Sequence, residues 1–369
     1  MKHKKIVMMG PSINSMGGVA SVVNGYIHAG LFDRWEVVYL DTHVEGTKVQ
    51  KLATAVNALF GLLGLLLKGE VALLHVHASE RVSFWRKFIY IMIAFVARCP
   101  VVFHLHGGAF MQFYADRCGR LAKWIVRFVL KESTCVIALS SQWKIKLRSI
   151  APGANVVCIF NSVSIPALRD SVPLQDRRPV LLFLGRLGKG KGTYDLLEAV
   201  ARILPVFPNV ELLCGGDGEL EQVAARAKEL GIGDNVKILG WVKGEEKQRL
   251  LDEAAVYVLP SYIEGMPMGV LEAMAAGVPV ITTTVGGIPD AINPGVDGIL
   301  IEPGDVNALS NAITSLLENA DMRVNIGTAG RQKIVESFSA EKVVPQLEAI
   351  YRDLGAVPLG DVIYSCQDG

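Results

Sequence analysis

The stretch that decides the fold is Pro260–Val280, PSYIEGMPMGVLEAMAAGVPV. Its first half is typical of a loop. The apolar second half predicts a short helix beginning near Pro267 or Met268, since proline is tolerated at a first helical position, and a Gly-x-Pro sequence provides the stop. The helix is apolar on every face except at Glu272, and a helix that is hydrophobic all round is typically buried. We therefore expect a core helix that carries one carboxylate.

A second carboxylate, Glu264, lies eight residues before Glu272 in the loop that feeds this helix. The helix N-terminus offers free N–H groups and partial positive charge, which suit an anion such as phosphate. A buried carboxylate is costly unless hydrogen-bond donors receive it. The sequence therefore predicts that two acidic groups and an anion-binding helix end share one small volume. A plain core helix with one satisfied Glu is the alternative.

Length and composition indicate a two-domain protein of 369 residues with 51% hydrophobic content. No segment reaches the ~18 consecutive apolar residues of a membrane span, and the apolar run Ile6–Met9 is too short for a signal-peptide core. The six cysteines include no C-x-x-C pair, and Cys366 lies near the end of the chain. Because several cysteines occupy apolar, strand-like runs, we interpret them as small buried hydrophobes in a reducing cytosol.

The net charge of +1 hides an asymmetry between the two halves of the chain. Residues 1–165 contain 19 Lys and Arg against 8 Asp and Glu, whereas residues 166–369 contain 18 against 28. The first half is therefore expected to face an anionic partner, for which nucleic acid and a membrane surface both qualify. No zinc finger, helix-turn-helix or aromatic single-strand platform is visible, so we expect no nucleic acid.

Short β-branched runs alternate with longer amphipathic stretches, which predicts an α/β fold of two doubly wound parallel-sheet domains. We expect a first domain over 1–165, a second over 166–338, and over 339–369 a helix that crosses back to the first domain, with a tail after it. The proline-rich segment Ser162–Pro179 is typical of a linker. In this architecture ligands bind at the carboxyl ends of the strands, facing a central cleft.

A strand in the second half runs into a loop with four glycines and three cations, VLLFLGRLGKGKG from Val180. Arg186 could fork onto phosphate oxygens, and a lysine adds a point charge, so the loop is interpreted as a diphosphate cradle. A solvated, flexible loop is the alternative. A later strand ends in the glycine turn that contains Gly216 and Gly218, where backbone could approach a ligand.

Glycines and histidines lie after the strands of the first half. Gly17 and Gly18 precede a predicted helix, where N–H groups could approach a phosphate or an acceptor; an ordinary tight turn is the alternative. Two histidine pairs lie at strand ends, where residues two apart share a face. Four histidines could hold a metal, but no carboxylate or cysteine accompanies them at ligand spacing. The pairs are His75 with His77 and His104 with His106.

The string E-G-x-P-x-x-x-x-E-A-M-A-x-G-x-P-V, with Glu264 and Glu272 at its E-x7-E positions, resembles the donor-site signature of retaining glycosyltransferase family 4, glycosyl transferases group 1. The resemblance extends over nearly the whole chain, through the glycine loop, the H-G segment at His106 and the G-R-L-x-x-x-K-G pattern. It implies the GT-B fold, with two Rossmann-like domains. It also implies that Arg186 and Lys191 face the diphosphate. Lys189 has no assigned role in this pattern.

The resemblance assigns roles to these residues. Arg186 and Lys191 would neutralise the diphosphate as it leaves, Glu264 and His106 would hold the transferring sugar, and these four form the expected catalytic set. The nucleotide sugar is the co-substrate, and neither metal nor another cofactor is expected, because the departing phosphate takes the proton of the acceptor. The expected donor-binding residues are Gly17, Gly18, Gly216, Gly218, Gly265, Met266, Pro267, Met268 and Glu272, whose carboxylate would receive ribose hydroxyls.

The resulting prediction is a retaining, metal-independent hexosyltransferase that moves a sugar from a UDP- or GDP-linked donor to a lipid-linked glycan intermediate of cell-surface polysaccharide or glycolipid synthesis. A nucleotide-sugar epimerase on the same scaffold is one alternative, although it would need acid and base residues that the sequence does not identify. A non-catalytic subunit that binds nucleotide and recruits a partner is the other. Both alternatives retain the nucleotide site and differ in the fate of the bound nucleotide sugar.

The basic first half also predicts docking on the inner face of the cell membrane by a cytoplasmic protein. The segment Arg81–Arg98 has a short apolar core flanked by cations, with aromatic residues suited to an interface. Ala55–Lys68 is nearly all Leu, Ala and Gly, and cations recur at helical spacing in Arg117–Lys131. Burial of these helices against the first sheet is the alternative, but burial does not explain the excess positive charge.

Overall fold

The computed structural model describes residues 4–167 and 172–362, so Cys366 and part of the expected linker lie outside the described residues. The chain forms two compact units. Unit 1 consists of Met1–Ser162 together with Ala340–Gly369, and unit 2 is Val163–Ser339. The first unit thus ends at residue 162 rather than 165, and the segment that returns to it begins at 340 rather than 339.

Each unit contains one six-stranded sheet, and every pair of neighbouring strands is parallel. The central strands of unit 2, such as Val180–Leu184 and Val256–Leu259, are continuous apolar runs because parallel sheets are covered on both faces. The strands are β1 (Lys5–Pro11), β2 (Val37–His43), β3 (Val71–Ala78), β4 (Val101–Leu105), β5 (Cys135–Ala138), β6 (Val156–Cys158), β7 (Val180–Leu184), β8 (Glu211–Gly215), β9 (Val236–Gly240), β10 (Val256–Leu259), β11 (Val280–Thr283) and β12 (Ile299–Ile301).

Helices connect these strands, as parallel pairing requires. The helices are α1 (Gly18–His28), α2 (Leu31–Trp35), α3 (Lys48–Leu67), α4 (Val82–Val96), α5 (Phe110–Gln112), α6 (Arg120–Glu132), α7 (Ser141–Ile150), α8 (Thr193–Ile203), α9 (Leu220–Glu229), α10 (Gly244–Glu253), α11 (Met268–Ala275), α12 (Ile288–Ala291), α13 (Val306–Glu318), α14 (Ala320–Ser337), α15 (Ala340–Asp353) and α16 (Leu359–Val362).

Strand order places one topological switch point in each sheet. The order in unit 1 is β2-β1-β3-β4-β5-β6, and in unit 2 it is β12-β11-β10-β7-β8-β9. The chain reverses its direction of travel between β1 and β3 in the first sheet and between β7 and β10 in the second. Ligands in open α/β sheets bind outside the carboxyl ends of the strands at such points. The expected sites therefore lie on the loops after these strands.

The sheet of unit 1 has two differently covered faces. One face packs into a single apolar core with α3, α4, α6 and α7, through side chains such as Leu62, Ile91, Val129 and Leu147. Alternation along β3 and β4 turns the histidines to the opposite face. That face is covered by the C-terminal helix α15, whose Tyr351 hydroxyl contacts His75.

Helix α3 is unusual in its exposure. It has 20 residues, and an 18-residue window within it has a mean hydropathy of 1.5. Among the described residues it is the one helix long and apolar enough to cross a membrane by length and composition. Only 11% of its apolar window is buried inside the structure. Ala58 and Leu62 nevertheless lie in the core of unit 1, so one narrow face of α3 packs on the sheet.

Candidate active site

The helix expected from the opening stretch is α11, which begins at Met268 with Pro267 as its N-cap residue. It lies almost entirely in the core, beside Tyr257 of β10. A Cβ at Gly269 would stand 2.3 Å from the Tyr257 hydroxyl, so only glycine fits there. That hydroxyl donates to the backbone carbonyl of Leu184, at the end of β7, over 3.1 Å. The N-terminus of α11 is thus fixed at the switch point between β7 and β10.

Glu264 is the most buried charged group at this edge, with 6% of its surface exposed. Its Oε1 accepts from Lys191 Nζ at 2.6 Å and from Ser261 Oγ at 2.7 Å. Lys191 lies after β7 and Glu264 lies after β10, so the two strands of the switch point each contribute one member of the pair. The structure therefore brings together two predicted catalytic residues that are 73 positions apart.

Glu272 on α11 has a partner that the sequence did not reveal. Its Oε1 accepts from Lys247 Nζ of α10 at 2.6 Å, and the two side chains are 18% and 27% exposed. Lys247 belongs to a strongly charged helix, where nothing in the local pattern distinguishes it from a solvated lysine. The only feature of the sequence that pointed to such a partner was the requirement of a buried Glu272 carboxylate for a hydrogen-bond donor.

Arg186 lies beside the glycine turn after β8. Its Nη1 is 3.4 Å from Asp217 Oδ2, and its side chain is 73% exposed. Gly216 and Gly218 have φ of +152° and +112°, and a Cβ on either would collide with the backbone of the Arg186 loop. These two glycines therefore allow the two loops to approach each other. The sequence analysis predicted that Gly216 and Gly218 bind the donor, and this role stays a prediction.

Tyr257 shows that the two carboxylates converge. Burial raises the pKa of its hydroxyl well above the ordinary value, and the charges of Glu272 and then Glu264 raise it further. Both carboxylates therefore act on one buried hydroxyl at the base of α11. That the two acidic groups share one small volume beside a helix N-terminus stays a prediction.

The remaining predicted donor contacts occupy two places. Gly265 and Met266 are buried in the loop before α11, and the Gly265 carbonyl accepts from the backbone N–H of Gly287 at 2.7 Å. In unit 1, Gly17 caps α1 with a φ of +136°, and a Cβ added there would meet nothing within 4 Å. Gly18 is the first residue of that helix. The glycine loop of unit 1 therefore leaves open space beside the helix end.

The four histidines of unit 1 form one stack on neighbouring strands. His77 Nδ1 lies 2.8 Å from His106 Nε2, and His75 Nε2 lies 3.2 Å from His104 Nδ1. His75 Nδ1 is also 2.7 Å from the Tyr351 hydroxyl. The His106 ring lies against two others, with its centroid 4.2 Å from that of His104 and 5.0 Å from that of His77. His106 is partly exposed and the other three are buried.

Burial keeps this stack neutral. It lowers the pKa of His75 to about 3 and the pKa values of His77 and His104 well below the ordinary value. Burial, with a smaller effect of the Lys87 ammonium, lowers the pKa of His106 to about 3. At neutral pH, His106 therefore presents an uncharged imidazole, which can donate or accept a hydrogen bond without introducing a second cation.

Three of these histidines have the spacing of a metal site, since the ring nitrogens of His75, His77 and His104 lie within 4.8 Å of one another. No carboxylate or cysteine belongs to this group. A divalent ion would therefore be buried without countercharge, and it would break the hydrogen bond between His75 and His104. The absence of a metal stays a prediction.

The unit 2 residues can recognise a ligand with two kinds of group. Lys191, Arg186 and the N-terminus of α11 offer positive charge to an anion. Glu264 and Glu272 offer carboxylate oxygens to hydroxyl groups. An anion next to several hydroxyls is the chemistry of a phosphorylated sugar or nucleotide.

Two family models match the chain, one for each unit. The model described as "Glycosyl transferases group 1" matches residues 164–333, and the model described as "Glycosyl transferase 4-like domain" matches residues 27–161. Neither match extends into α15, which carries Tyr351. The first match contains the whole set Arg186, Lys191, Glu264 and Glu272.

Characterised relatives carry related names. N-acetyl-alpha-D-glucosaminyl L-malate synthase of Bacillus anthracis is 29% identical over 239 residues, which is 62% of each chain. The alignment thus spans less than two thirds of that relative. UDP-Gal:alpha-D-GlcNAc-diphosphoundecaprenol alpha-1,3-galactosyltransferase of Escherichia coli is 27% identical over 340 residues, which is 86% of each chain.

Solved structures share the fold along almost the whole chain. Sucrose-phosphate synthase from Thermosynechococcus elongatus has a TM-score of 0.79 at 21% identity. The superposition covers 95% of this chain and 99% of the synthase chain. HepE of Anabaena, solved with UDP-glucose, has a TM-score of 0.75 at 18% identity, with 95% and 100% coverage. These structural similarities confirm the predicted GT-B fold. The two family matches, which together span residues 27–161 and 164–333, support a glycosyltransferase of group 1.

Proposed function

We propose that this protein transfers a hexose-type sugar from a UDP- or GDP-linked donor to an acceptor hydroxyl, with retention of configuration. The observation that carries the proposal is the pairing of Lys191 with the buried Glu264 beside the N-terminus of α11. In the proposed complex, this cation would meet the diphosphate of the donor and this carboxylate its sugar. Names of relatives support a nucleotide-sugar donor, since the Escherichia coli enzyme uses UDP-Gal and HepE was solved with UDP-glucose.

The cations act on the leaving group. As the bond between the anomeric carbon and the phosphate oxygen breaks, negative charge develops on the diphosphate. Arg186, Lys191 and the α11 N-terminus stabilise that charge, the effect that usually contributes most to such a reaction. Arg186 is exposed, so its guanidinium can leave Asp217 and bind a phosphate instead. The Lys191 ammonium has three N–H donors and can therefore donate to Glu264 and to the phosphate at the same time.

The carboxylates and His106 bind hydroxyl groups. Glu264 accepts from the transferring sugar, Glu272 accepts from the ribose hydroxyls, and Lys247 orients Glu272 through its 2.6 Å hydrogen bond. His106 offers a neutral imidazole to a sugar hydroxyl. The acceptor oxygen attacks the anomeric carbon on the face that the diphosphate leaves, and its proton passes to the departing phosphate oxygen. This route retains configuration without a second catalytic carboxylate and without a metal.

Transfer of label from nucleotide sugars tests this function. The purified protein is incubated with radiolabelled UDP- and GDP-sugars and a lipid extract, with and without EDTA. We expect label in an organic-soluble product for one donor, an α-linkage in that product by NMR, and unchanged turnover with EDTA. Conversion of the donor sugar without transfer would instead identify an epimerase, and binding without turnover would identify a silent subunit.

We further propose that the acceptor is lipid-linked and that unit 1 docks on the inner face of the cell membrane as a peripheral protein. The docking layer consists of α3, α4, α6 and α7, which pack on the same face of the sheet. These helices contain eleven basic residues, of which Lys87 is buried, and one acidic residue, Glu132. Such a layer complements anionic headgroups, which attract each nearby Lys or Arg by about 1 kcal/mol.

Apolar side chains are exposed on the same docking layer. On α3 they recur at helical spacing, and Phe60 is 66% exposed. Trp124 on α6 is 59% exposed, and tryptophan suits the membrane interface. Because Leu62 anchors α3 in the core, α3 would lie along the surface rather than cross the bilayer. The full exposed set is Val49, Leu52, Val56, Phe60, Leu67, Val82, Ile89, Val96, Leu121, Trp124 and Ile145.

A further inference from the structure

The short turn that carries Lys191 in unit 2 has little structure of its own to hold it in place. It is a single 3-10 turn over Lys189–Lys191, between Gly188 and Gly192, whose φ angles are 145° and 67°. Within the turn, the Lys191 N–H donates to the Gly188 carbonyl at 3.2 Å. Because so short a segment between two glycines has few internal restraints, its position depends on what packs against it.

The loop over residues 260–264, which follows β10, packs against this turn through its backbone. The Pro260 carbonyl lies so close to Gly192 that a Cβ there would collide with it, so only glycine fits. Two residues later, the Tyr262 N–H donates to the carbonyl of Gly190, in the middle of the turn, at 3.0 Å. The turn is therefore seated on the loop by its backbone.

The side chain of Tyr262 adds a contact to the helix that follows the turn. Its hydroxyl donates to Asp195 Oδ2 at 2.8 Å. Asp195 lies in the first turn of α8, which begins at Thr193. A Cβ on Gly304, in the loop after β12, would stand 2.8 Å from the Tyr262 hydroxyl, so glycine at that position leaves room for the hydroxyl. Tyr262 thus binds the turn through its backbone and the start of α8 through its side chain.

Two side-chain hydrogen bonds therefore join the same two segments. One links Lys191 to the buried Glu264, and the other links Asp195 to Tyr262, which is 43% exposed. In the proposed function the first bond is shared with the ligand, since Lys191 also donates to phosphate and Glu264 also accepts from the sugar. The second bond involves neither group. It can hold the turn in place while the first bond adjusts to the ligand, which lowers the cost of ordering Lys191.

We infer that Tyr262 is a positioning residue: through its hydrogen bond to Asp195 it holds the Lys189–Lys191 turn where the Lys191 ammonium meets the β-phosphate of a nucleoside diphosphate. Tyr262 acts through Lys191 and contacts no phosphate itself. Its role therefore rests on the proposed function of Lys191, and it deepens that function by adding a residue outside the expected catalytic and donor-binding sets. Binding measurements without turnover are sufficient to test it.

Isothermal titration of the full-length protein with UDP, UMP, GDP and GMP tests this role. For the base that binds more tightly, the Kd of the monophosphate divided by that of the diphosphate measures how much the β-phosphate contributes. Lys191→Ala should lower this ratio by about tenfold or more. Tyr262→Phe should lower it by about fivefold and leave monophosphate affinity nearly unchanged. A residue that only stabilises the fold would not change the ratio.

Variants of the partner show whether the hydrogen bond itself is responsible. Asp195→Ala should lower the ratio as much as Tyr262→Phe, and the double variant should lower it no further, because both changes remove the same bond. Asp195→Asn keeps an acceptor oxygen and should retain most of the ratio. Tyr114→Phe is the matched control. It removes a hydroxyl that accepts from Arg127 in unit 1, and it should leave the ratio at the wild-type value.

The outcomes separate the positioning role from the proposed function. If Tyr262→Phe keeps the wild-type ratio while Lys191→Ala lowers it, Tyr262 is not a positioning residue and the assignment of Lys191 stands. If Lys191→Ala keeps the wild-type ratio, or if wild-type protein binds neither UDP nor GDP, the donor assignment fails and the role of Tyr262 fails with it. Should Tyr262→Phe not fold, as judged by its thermal transition, Asp195→Ala must show the loss by itself.

Discussion

The two sheets of this enzyme are built alike, yet their ligand-facing edges differ in how charge is balanced. In unit 2 three cations at the edge have carboxylate partners: Lys191 with Glu264, Lys247 with Glu272, and Arg186 with Asp217. In unit 1 the edge holds neutral histidines and the cations Arg86 and Lys87, for which the described residues provide no ion pair. One edge is balanced before any ligand arrives, and the other is not.

This difference fits two different tasks. A balanced edge can take up a diphosphate and release it again, because its cations return to their carboxylates when the product leaves. An unbalanced, buried cation gains most from a ligand that brings its own negative charge. The comparison therefore favours unit 2 as the place of the leaving group in the proposed reaction.

Removing the cations of unit 2 should have the largest effect. Lys191→Ala should lower kcat by about 10²–10³-fold, because the lost charge stabilises the transition state more than the ground state. Steady-state kinetics should show a smaller change in KM. Lys189→Ala, in the same turn, is the matched control and should remain active. Full turnover in Lys191→Ala would show that Lys191 does not stabilise the leaving group.

Neutralising Glu272 should have the next largest effect. Glu272→Gln keeps the shape of the side chain and loses its charge-assisted hydrogen bonds, so donor affinity should fall by about 1.5–3 kcal/mol, or roughly ten- to a hundredfold. Isothermal titration with the nucleotide diphosphate measures this. Glu246→Gln, exposed on the neighbouring helix α10, should bind normally. Equal affinities in Glu272→Gln and wild type would remove Glu272 from the site.

The neutral histidines of unit 1 should make its stability sensitive to acid. Their pKa values are lowered in the folded state, so below the ordinary value of 6.5 the unfolded chain binds more protons and the free energy of unfolding falls. Each such histidine contributes at most about 1.4 kcal/mol per pH unit between about 6.5 and 3. Urea titrations at pH 7, 6 and 5 should show this slope.

The variant His104→Phe isolates the contribution of one ring to that slope. It keeps an aromatic ring in the stack, removes one titrating group and leaves His106 in place. The loss of stability from pH 7 to pH 5 should therefore be smaller in the variant than in wild type. Identical slopes would show that His104 is not held neutral by burial.

Much of the unit 2 site was accessible from the sequence because it lies in continuous strings. The prediction that a helix begins near Met268 is confirmed, since proline and glycine signals bound it locally. The partners were harder to predict. Ser261 lies within the same stretch as Glu264, but Lys247 lies in a helix of many charges, and only packing of α10 beside α11 selects it.

The unit 1 site could be predicted only in part. Alternation placed His75 with His77 and His104 with His106, each pair on one face. Pairing of rings across strands requires the order β3-β4, and the contact to Tyr351 joins residues 276 positions apart. Lys87 appeared in the sequence as an interfacial cation at the edge of an apolar run. Its burial results from the packing of α4, which no local pattern specifies.

The smallest effect per residue is expected at the docking layer. Exposed cations near an anionic surface each add about 1 kcal/mol, and the attraction falls off over about 10 Å at 0.1 M salt. Replacing Lys48, Arg120 and Lys131 by Gln should therefore weaken partition onto anionic vesicles by about two orders of magnitude at low salt. Sedimentation with anionic and neutral vesicles, at low and high salt, measures it.

The matched control for this prediction lies on unit 2, where Lys228, Lys243 and Arg249 are exposed and can be replaced by Gln together. The control loses the same net charge, so a general electrostatic effect would weaken both triple variants equally. Docking through unit 1 requires the loss to be confined to the first variant and to disappear at high salt. If wild-type protein stays in the supernatant with anionic vesicles at low salt, the uncovered apolar face of α3 serves another purpose, and the acceptor is more readily sought among soluble molecules.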